Sequence, residues 1–167
     1  MLKINFVVLL LSALIPLVMG FIWYNPKIFG KAWMQASGLT EESMKGANMA
    51  LIFGLTYLFS FLAAGAIQFM VIHQFHLFSI LINEPGINEK GSEVNMLYTS
   101  CMEKYGTNFR TFKHGALHGT IGGILLATPI ISINALFERK GFKYIAINAG
   151  FWTVCMSLMG GIICAYS

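Results

Sequence analysis

The sequence predicts an all-α membrane protein: four transmembrane helices in a bundle plus a short amphipathic interfacial helix. Three observations carry that prediction. Of 167 residues, 56% are hydrophobic and only 11% are charged, whereas a soluble domain carries about 25% charged residues. So few charges cannot wet the whole surface of a globule, and lipid must face much of it. The apolar residues gather into four runs, at 4–24, 49–77, 114–137 and 142–166. Each reaches the ~20 residues a helix needs to cross ~30 Å of hydrocarbon. No Asp, Glu, Lys or Arg sits mid-span. In hydrocarbon the backbone must satisfy its own hydrogen bonds, so these runs are helices rather than strands. The length predicts one integral membrane domain over 1–167.

Run one, 4–24, has a competing reading as a secretory signal. Lys3 supplies a positive n-region and Val18-Met19-Gly20 is a passable cleavage site. The apolar run continues past that site through Phe21, Ile22 and Trp23, which favours a retained span. Pro16 removes a backbone donor and predicts a bend.

The stretch Trp23-Tyr24-Asn25-Pro26-Lys27-Ile28-Phe29-Gly30-Lys31-Ala32-Trp33 follows directly. Asn25 suits an N-cap and Pro26 the first helical position. Gly38 suits the residue that ends the helix. The spacing predicts a helix over 26–37. At 100° per residue, Lys27, Lys31 and Gln35 form a polar stripe opposite Ile28, Phe29, Ala32, Trp33 and Ala36. That is the pattern of a helix lying in the membrane interface. Trp23, Tyr24, Phe29 and Trp33 are the expected membrane-interface residues, the aromatics that anchor a boundary. The alternative is an ordinary amphipathic helix packed on protein.

Run two, 49–77, is long for one crossing if it continues to Leu81, and predicts tilt or projection into water. The segment 83–112 is the one substantial water-soluble loop. Asn83-Glu84-Pro85-Gly86 reads as a turn, and Gly91 and Gly106 bracket a short helix. Val94, Leu97, Tyr98, Cys101 and Tyr105 share a face of it, which predicts docking on the end of the bundle.

Runs three and four carry small residues at helical spacing. Gly115, Gly119 and Gly123, with Ala127 next, line one face of run three; Ser157, Gly161 and Ala165 line one face of run four. Lipid tails are as apolar as Leu, so membrane helices associate where small residues permit close contact. The two runs are expected to pack groove to groove, with a homodimer face as the alternative. Pro129 predicts a bend in run three.

Charge and cysteine usage narrow the partners. Net charge is +4, but the eleven basic residues are scattered through loops. No basic stripe interleaves with aromatics, so no nucleic-acid partner is expected. The expected partners are the lipid bilayer and either a second copy or another membrane protein. The two short connections carry Lys27, Lys31, Lys45, Arg139, Lys140 and Lys143, against Lys3, Lys90, Lys104, Arg110 and Lys113 on the other side. Six against five is no decisive positive-inside bias and leaves the orientation open; the short connections have their charges nearest the helix ends, which tips the expectation toward a cytoplasmic position for them. Cys101, Cys155 and Cys164 lack metal-site spacing and read as packing residues.

All four histidines fall near one membrane face. His73 and His76 lie near the end of run two, and His114 and His118 at the start of run three. Spacings of three and four allow each pair to share a helix face. Imidazoles converging from two helices form a candidate site for zinc or another transition metal. The bland alternative is structural hydrogen bonding. There is no His-Glu-x-x-His pattern. Asn5, Gln68, Asn134 and Asn148 are the other polar residues in the spans, expected to bond across helices.

Three stretches carry a family resemblance. They are Trp23 through Trp33 with Gly38-Leu39-Thr40, then Ala135-Leu136-Phe137-Glu138-Arg139-Lys140, then Ile147-Asn148-Ala149-Gly150-Phe151-Trp152 with Met159-Gly160 beyond. On these the chain resembles a family of small bacterial membrane proteins catalogued as domain of unknown function 1761. The resemblance implies a four-span bundle in the bacterial cytoplasmic membrane and transfers no activity. The 83–112 loop is longer than is usual there. No Ser/His/Asp set, phosphate loop or carboxylate pair is placed for catalysis. The expectation is a non-enzymatic integral membrane protein, an interaction or accessory subunit. A small transporter or channel, metal- or proton-linked through the histidines, is the alternative, and a membrane enzyme using His114 or His118 is a third class.

Overall fold

The computed structural model describes residues 3–167, and among them it contains helices and no strand. The chain is a multi-pass membrane protein with four helices long and apolar enough to cross a bilayer: Phe6–Trp23, Met49–Val71, Phe112–Phe137 and Phe142–Tyr166.

Span one is two helices, α1 (Phe6–Ser12) and α2 (Ile15–Trp23). Asn5 caps α1, its Oδ1 accepting from the Val8 N–H at 3.3 Å. The break at Ala13-Leu14 follows from Pro16, which has no N–H for the Ser12 carbonyl. Then comes α3 (Gly30–Ser37). It starts four residues later than the spacing predicts. Asn25 spends its backbone and side chain on a tight turn instead of a cap. Its carbonyl accepts from Ile28 and Gly30, both at 2.9 Å, and its Oδ1 from the Lys27 N–H at 2.9 Å. Gly30 is required there, since a Cβ would lie 2.2 Å from the Tyr24 carbonyl oxygen. Gly38 ends the helix at φ +75°.

Span two is α4 (Met49–Val71), capped by Asn48, whose Oδ1 accepts from Leu51 at 3.1 Å. It stops at Val71, where the sequence reading continues it to Leu77. Ile72 is extended, with φ −111° and ψ 94°, and a separate helix, α5 (Gln74–Leu81), begins beyond His73. Val71 and Ile72 are both 1% exposed. In a helix two successive side chains diverge by 100°, whereas an extended β-branched residue lets the chain keep both in the core.

The water-soluble loop contains α6 (Glu93–Tyr105), capped by Ser92. It docks on α5 rather than across the end of the bundle: buried Tyr98 packs on Phe78 at 5.7 Å. Gln74 Nε2 donates to the Asn108 carbonyl at 2.9 Å, fastening the loop that leaves α6. Leu97 and Tyr105 are exposed.

Span three opens two residues earlier than predicted, at α7 (Phe112–Gly122), because Thr111 Oγ1 caps it by accepting from His114 at 3.2 Å. A π-helical turn, Gly123–Ala127, leads into α8 (Thr128–Phe137). Pro129 leaves the Leu125 carbonyl without its usual donor, and a wider turn accommodates that loss. Thr128 Oγ1 donates to the Gly123 carbonyl at 2.8 Å.

Span four, α9 (Phe142–Tyr166), is the axis of the bundle. Of its apolar stretch 56% is buried, against 22%, 17% and 17% in the others. The outward faces of those three carry residues such as Phe21, Leu58 and Leu125, exposed to the lipid. Asn5 Nδ2 donates to the Tyr166 carbonyl and Arg110 Nε to that of Cys164, so the start of span one and the end of span four share one membrane face. Trp23 Nε1 donates to the Ile147 carbonyl at 3.1 Å at the opposite face.

Candidate metal centre

The α7–α9 seam sets the position of the site. A Cβ on Gly115 would lie 2.1 Å from the Gly160 carbonyl oxygen, and one on Gly119 would lie 2.0 Å from that of Met156. A Cβ on Gly123 would lie 2.5 Å from Thr153 Cα. Backbone therefore touches backbone along three turns. On α9, Ser157 Oγ donates to the Ala116 carbonyl at 3.2 Å and Gly161 receives the Phe112 ring. One of the two closest contacts uses Gly160, which the spacing of Ser157, Gly161 and Ala165 passes over.

His114 and His118 stand one helical turn apart on α7, each just before a glycine of that seam. The flat glycine face holds α7 against α9 and leaves the adjacent face, with both imidazoles, toward the end of span two. There the extended Ile72 redirects the chain, and His73 becomes the first residue of the turn into α5. His73 Nε2 lies 2.8 Å from His114 Nε2. The ring of His118 lies 4.9 Å from that of His73 and 4.5 Å from that of His114, centroid to centroid. One nitrogen from each of His73, His114 and His118 can be chosen so that all lie within 4.8 Å of one another.

That spacing suits a metal. Tetrahedral bonds of about 2.05 Å place ligand nitrogens about 3.3 Å apart, so side-chain adjustments that change the separations by up to about 1.5 Å close the set. His76 lies outside the group, its ring 6.4 Å from that of His73. The break at Ile72 precedes both residues, and the His76 N–H donates to the His73 carbonyl at 3.0 Å, so the pair shares the first turn of α5; only His73, next to the break, reaches the two histidines of α7. Burial and the neighbouring His118 and His76 hold the His73 imidazole below its usual 6.5. A neutral imidazole is the form that binds metal. The group contains no carboxylate among the described residues.

Phe109 completes the surroundings and has no signal in the sequence. Its ring stands 5.0 Å from that of His114 and 6.3 Å from that of His73. Its backbone has φ +63°, a left-handed value that a non-glycine residue adopts only when held there. The holding contacts fall on its carbonyl, which accepts from the Thr111 N–H at 2.8 Å and the Cys164 thiol at 3.2 Å. Beside the site lies a cavity of about 410 Å³, lined by His73, Gln74, Leu77, Cys101, Met102 and Phe109 among others.

The expected interface aromatics cluster at the other membrane face. Trp23 packs on Phe29 at 4.7 Å, and Tyr24 on Trp33 and on Phe151, both at 5.1 Å. The Tyr24 hydroxyl donates to Asn148 Oδ1 at 2.9 Å. Lys140 Nζ donates to the Ser37 carbonyl at the end of α3. A model of the family described as "Protein of unknown function (DUF1761)" matches residues 7–164.

The chain belongs to the DUF1761 family.

That match runs from α1 almost to the end of α9 and takes in all three histidines of the group. No curated protein and no solved structure matches the chain. Membership in DUF1761 places the four-span architecture in a family context and leaves the chemistry of this member to its own residues.

Proposed function

We propose that this DUF1761 protein is a metal-linked membrane protein that binds one divalent transition metal, zinc by preference, through His73, His114 and His118. The observation that carries the reading is the convergence of three imidazole nitrogens within 4.8 Å from two different helices. Three nitrogen ligands without a thiolate suit zinc, copper or nickel, and not magnesium or calcium. The glycines that would offer a face to a second copy are occupied by α9 within the chain. The proposal therefore favours the metal-linked class over an accessory subunit built on that groove.

The setting we propose is the bacterial cytoplasmic membrane. The two short connections, with Lys27, Lys31, Lys45, Arg139, Lys140 and Lys143, would face the cytoplasm. The histidines then open on the outer side. Metal analysis of the purified chain tests the reading. About one zinc per chain in the unaltered protein, and a loss with His114→Ala, is the expected result; trace metal in both ends it.

A further inference from the structure

We infer that the metal site is open, with a fourth coordination position that faces the cavity between α5 and α6 and accepts a small molecule bearing a donor atom on an apolar body. The inference rests on the metal-binding reading above and adds what the metal takes.

Two observations place the open position. The group of ligands stops at three: among the described residues no further His, Cys, Asp or Glu offers an atom within 4.8 Å of all of them, and Cys101, in the cavity wall, lies outside the group. Structural zinc sites close with four protein ligands, whereas sites that act on a ligand keep three and leave one position free. The second observation is that His73 belongs to both the metal group and the wall of the 410 Å³ cavity. Phe109 bridges the two as well, standing against the rings of His73 and His114 while lining the same cavity. A donor atom arriving from the cavity therefore meets the metal on the His73 side.

The walls define the ligand. Leu77, Met102 and Phe109 supply apolar surface, and Gln74 is committed through its Nε2 to the Asn108 carbonyl. The volume falls in the range of small-molecule sites, which runs from about 300 to 1,000 Å³. An apolar ring or short chain fits those walls, and its head must be a neutral or anionic donor, since the three imidazoles leave the dication's charge uncompensated. Phe109 is a positioning residue here: its strained backbone fixes a flat aromatic wall beside the metal, and it coordinates nothing.

The test uses the full chain in detergent, loaded with Co²⁺ in place of zinc and read by visible absorption. Two probes separate an open metal from a shaped cavity: azide, which needs only a free position, and 4-phenylimidazole, which needs room for its ring. Both are expected to change the Co²⁺ bands of the unaltered protein. Leu77→Trp and Met102→Trp, each filling the cavity from a different helix, should keep the azide response and weaken 4-phenylimidazole about tenfold or more. An intact Co²⁺ spectrum certifies that each variant is folded. No response to either probe, or equal 4-phenylimidazole affinity in the unaltered protein and both variants, overturns the inference. A chain that takes up no Co²⁺ at all refutes the metal-binding reading itself.

Discussion

His73 and His114 are 41 residues apart in sequence, yet their Nε2 atoms lie 2.8 Å apart. At that distance one neutral ring donates and the other accepts, and two protonated rings would face each other with nothing between. The contact exists because Ile72 leaves the helix and because α7 lies flat on α9. The expected behaviour of the site follows from those two causes.

Single-ligand variants should separate His73 from His76. His73→Ala removes a member of the group, and metal affinity is expected to fall by about 100-fold or more. His76→Ala should leave affinity within about threefold, since its ring lies outside the group. Competition against a chromogenic chelator measures both, and equal losses would contradict the geometry.

The α7–α9 seam should tolerate no side chain. A Cβ at Gly119 would lie 2.0 Å from a backbone oxygen that cannot move without moving the axial helix. Gly119→Leu is expected to abolish the folded monomer in detergent, beyond the 1–3 kcal/mol typical of overpacking. Gly54→Ala is the control: its Cβ would meet nothing within 4 Å, and helix propensity predicts about 1 kcal/mol of added stability. Thermal melts followed by size-exclusion chromatography report both.

Acidification should destabilise the metal-free protein. The folded-state pKa of His73 lies below its usual 6.5, with burial as the main cause and His118 and His76 as further ones. A group with a lowered pKa takes up its proton more readily when unfolded. Its contribution is present above pH 6.5 and is lost as pH falls from there through the folded-state value. The melting temperature after chelator treatment is expected to drop between pH 7.5 and 5.5, and the drop should shrink in His73→Ala. An identical drop in both proteins would remove His73 as its source.

At the other membrane face, Asn148→Ala should cost about 1 kcal/mol, the usual net worth of a hydrogen bond. It strips the Tyr24 hydroxyl of its acceptor and loosens the end of α2 against α9. Metal affinity should stay unchanged, because the histidines lie a membrane's width away. A thermal melt and the chelator competition check the two halves.

The architecture was legible because each span is an uninterrupted apolar run, and lipid leaves the backbone no choice but helix. Gly115, Gly119 and Gly123 were legible for a related reason: only small residues repeat with that spacing where helices touch. Three details were not. The end of α4 at Val71 rests on one extended residue inside an apolar stretch, which changes no composition and breaks no period. The start of α3 depends on whether Asn25 caps a helix or closes a turn, and the same residue suits both. Phe109 joins the site through a left-handed backbone and a thiol from α9, contacts of long range that no local pattern encodes. The histidines were visible as a set of four near one face; which three converge depended on the break at Ile72.

The central claim is that His73, His114 and His118 hold one metal together, and metal content after zinc loading and desalting tests it most directly. Mass spectrometry of inductively coupled plasma should find about one zinc per unaltered chain and per His76→Ala chain, and near zero for His118→Ala. Full zinc occupancy in His118→Ala, or none in the unaltered protein, would contradict the account.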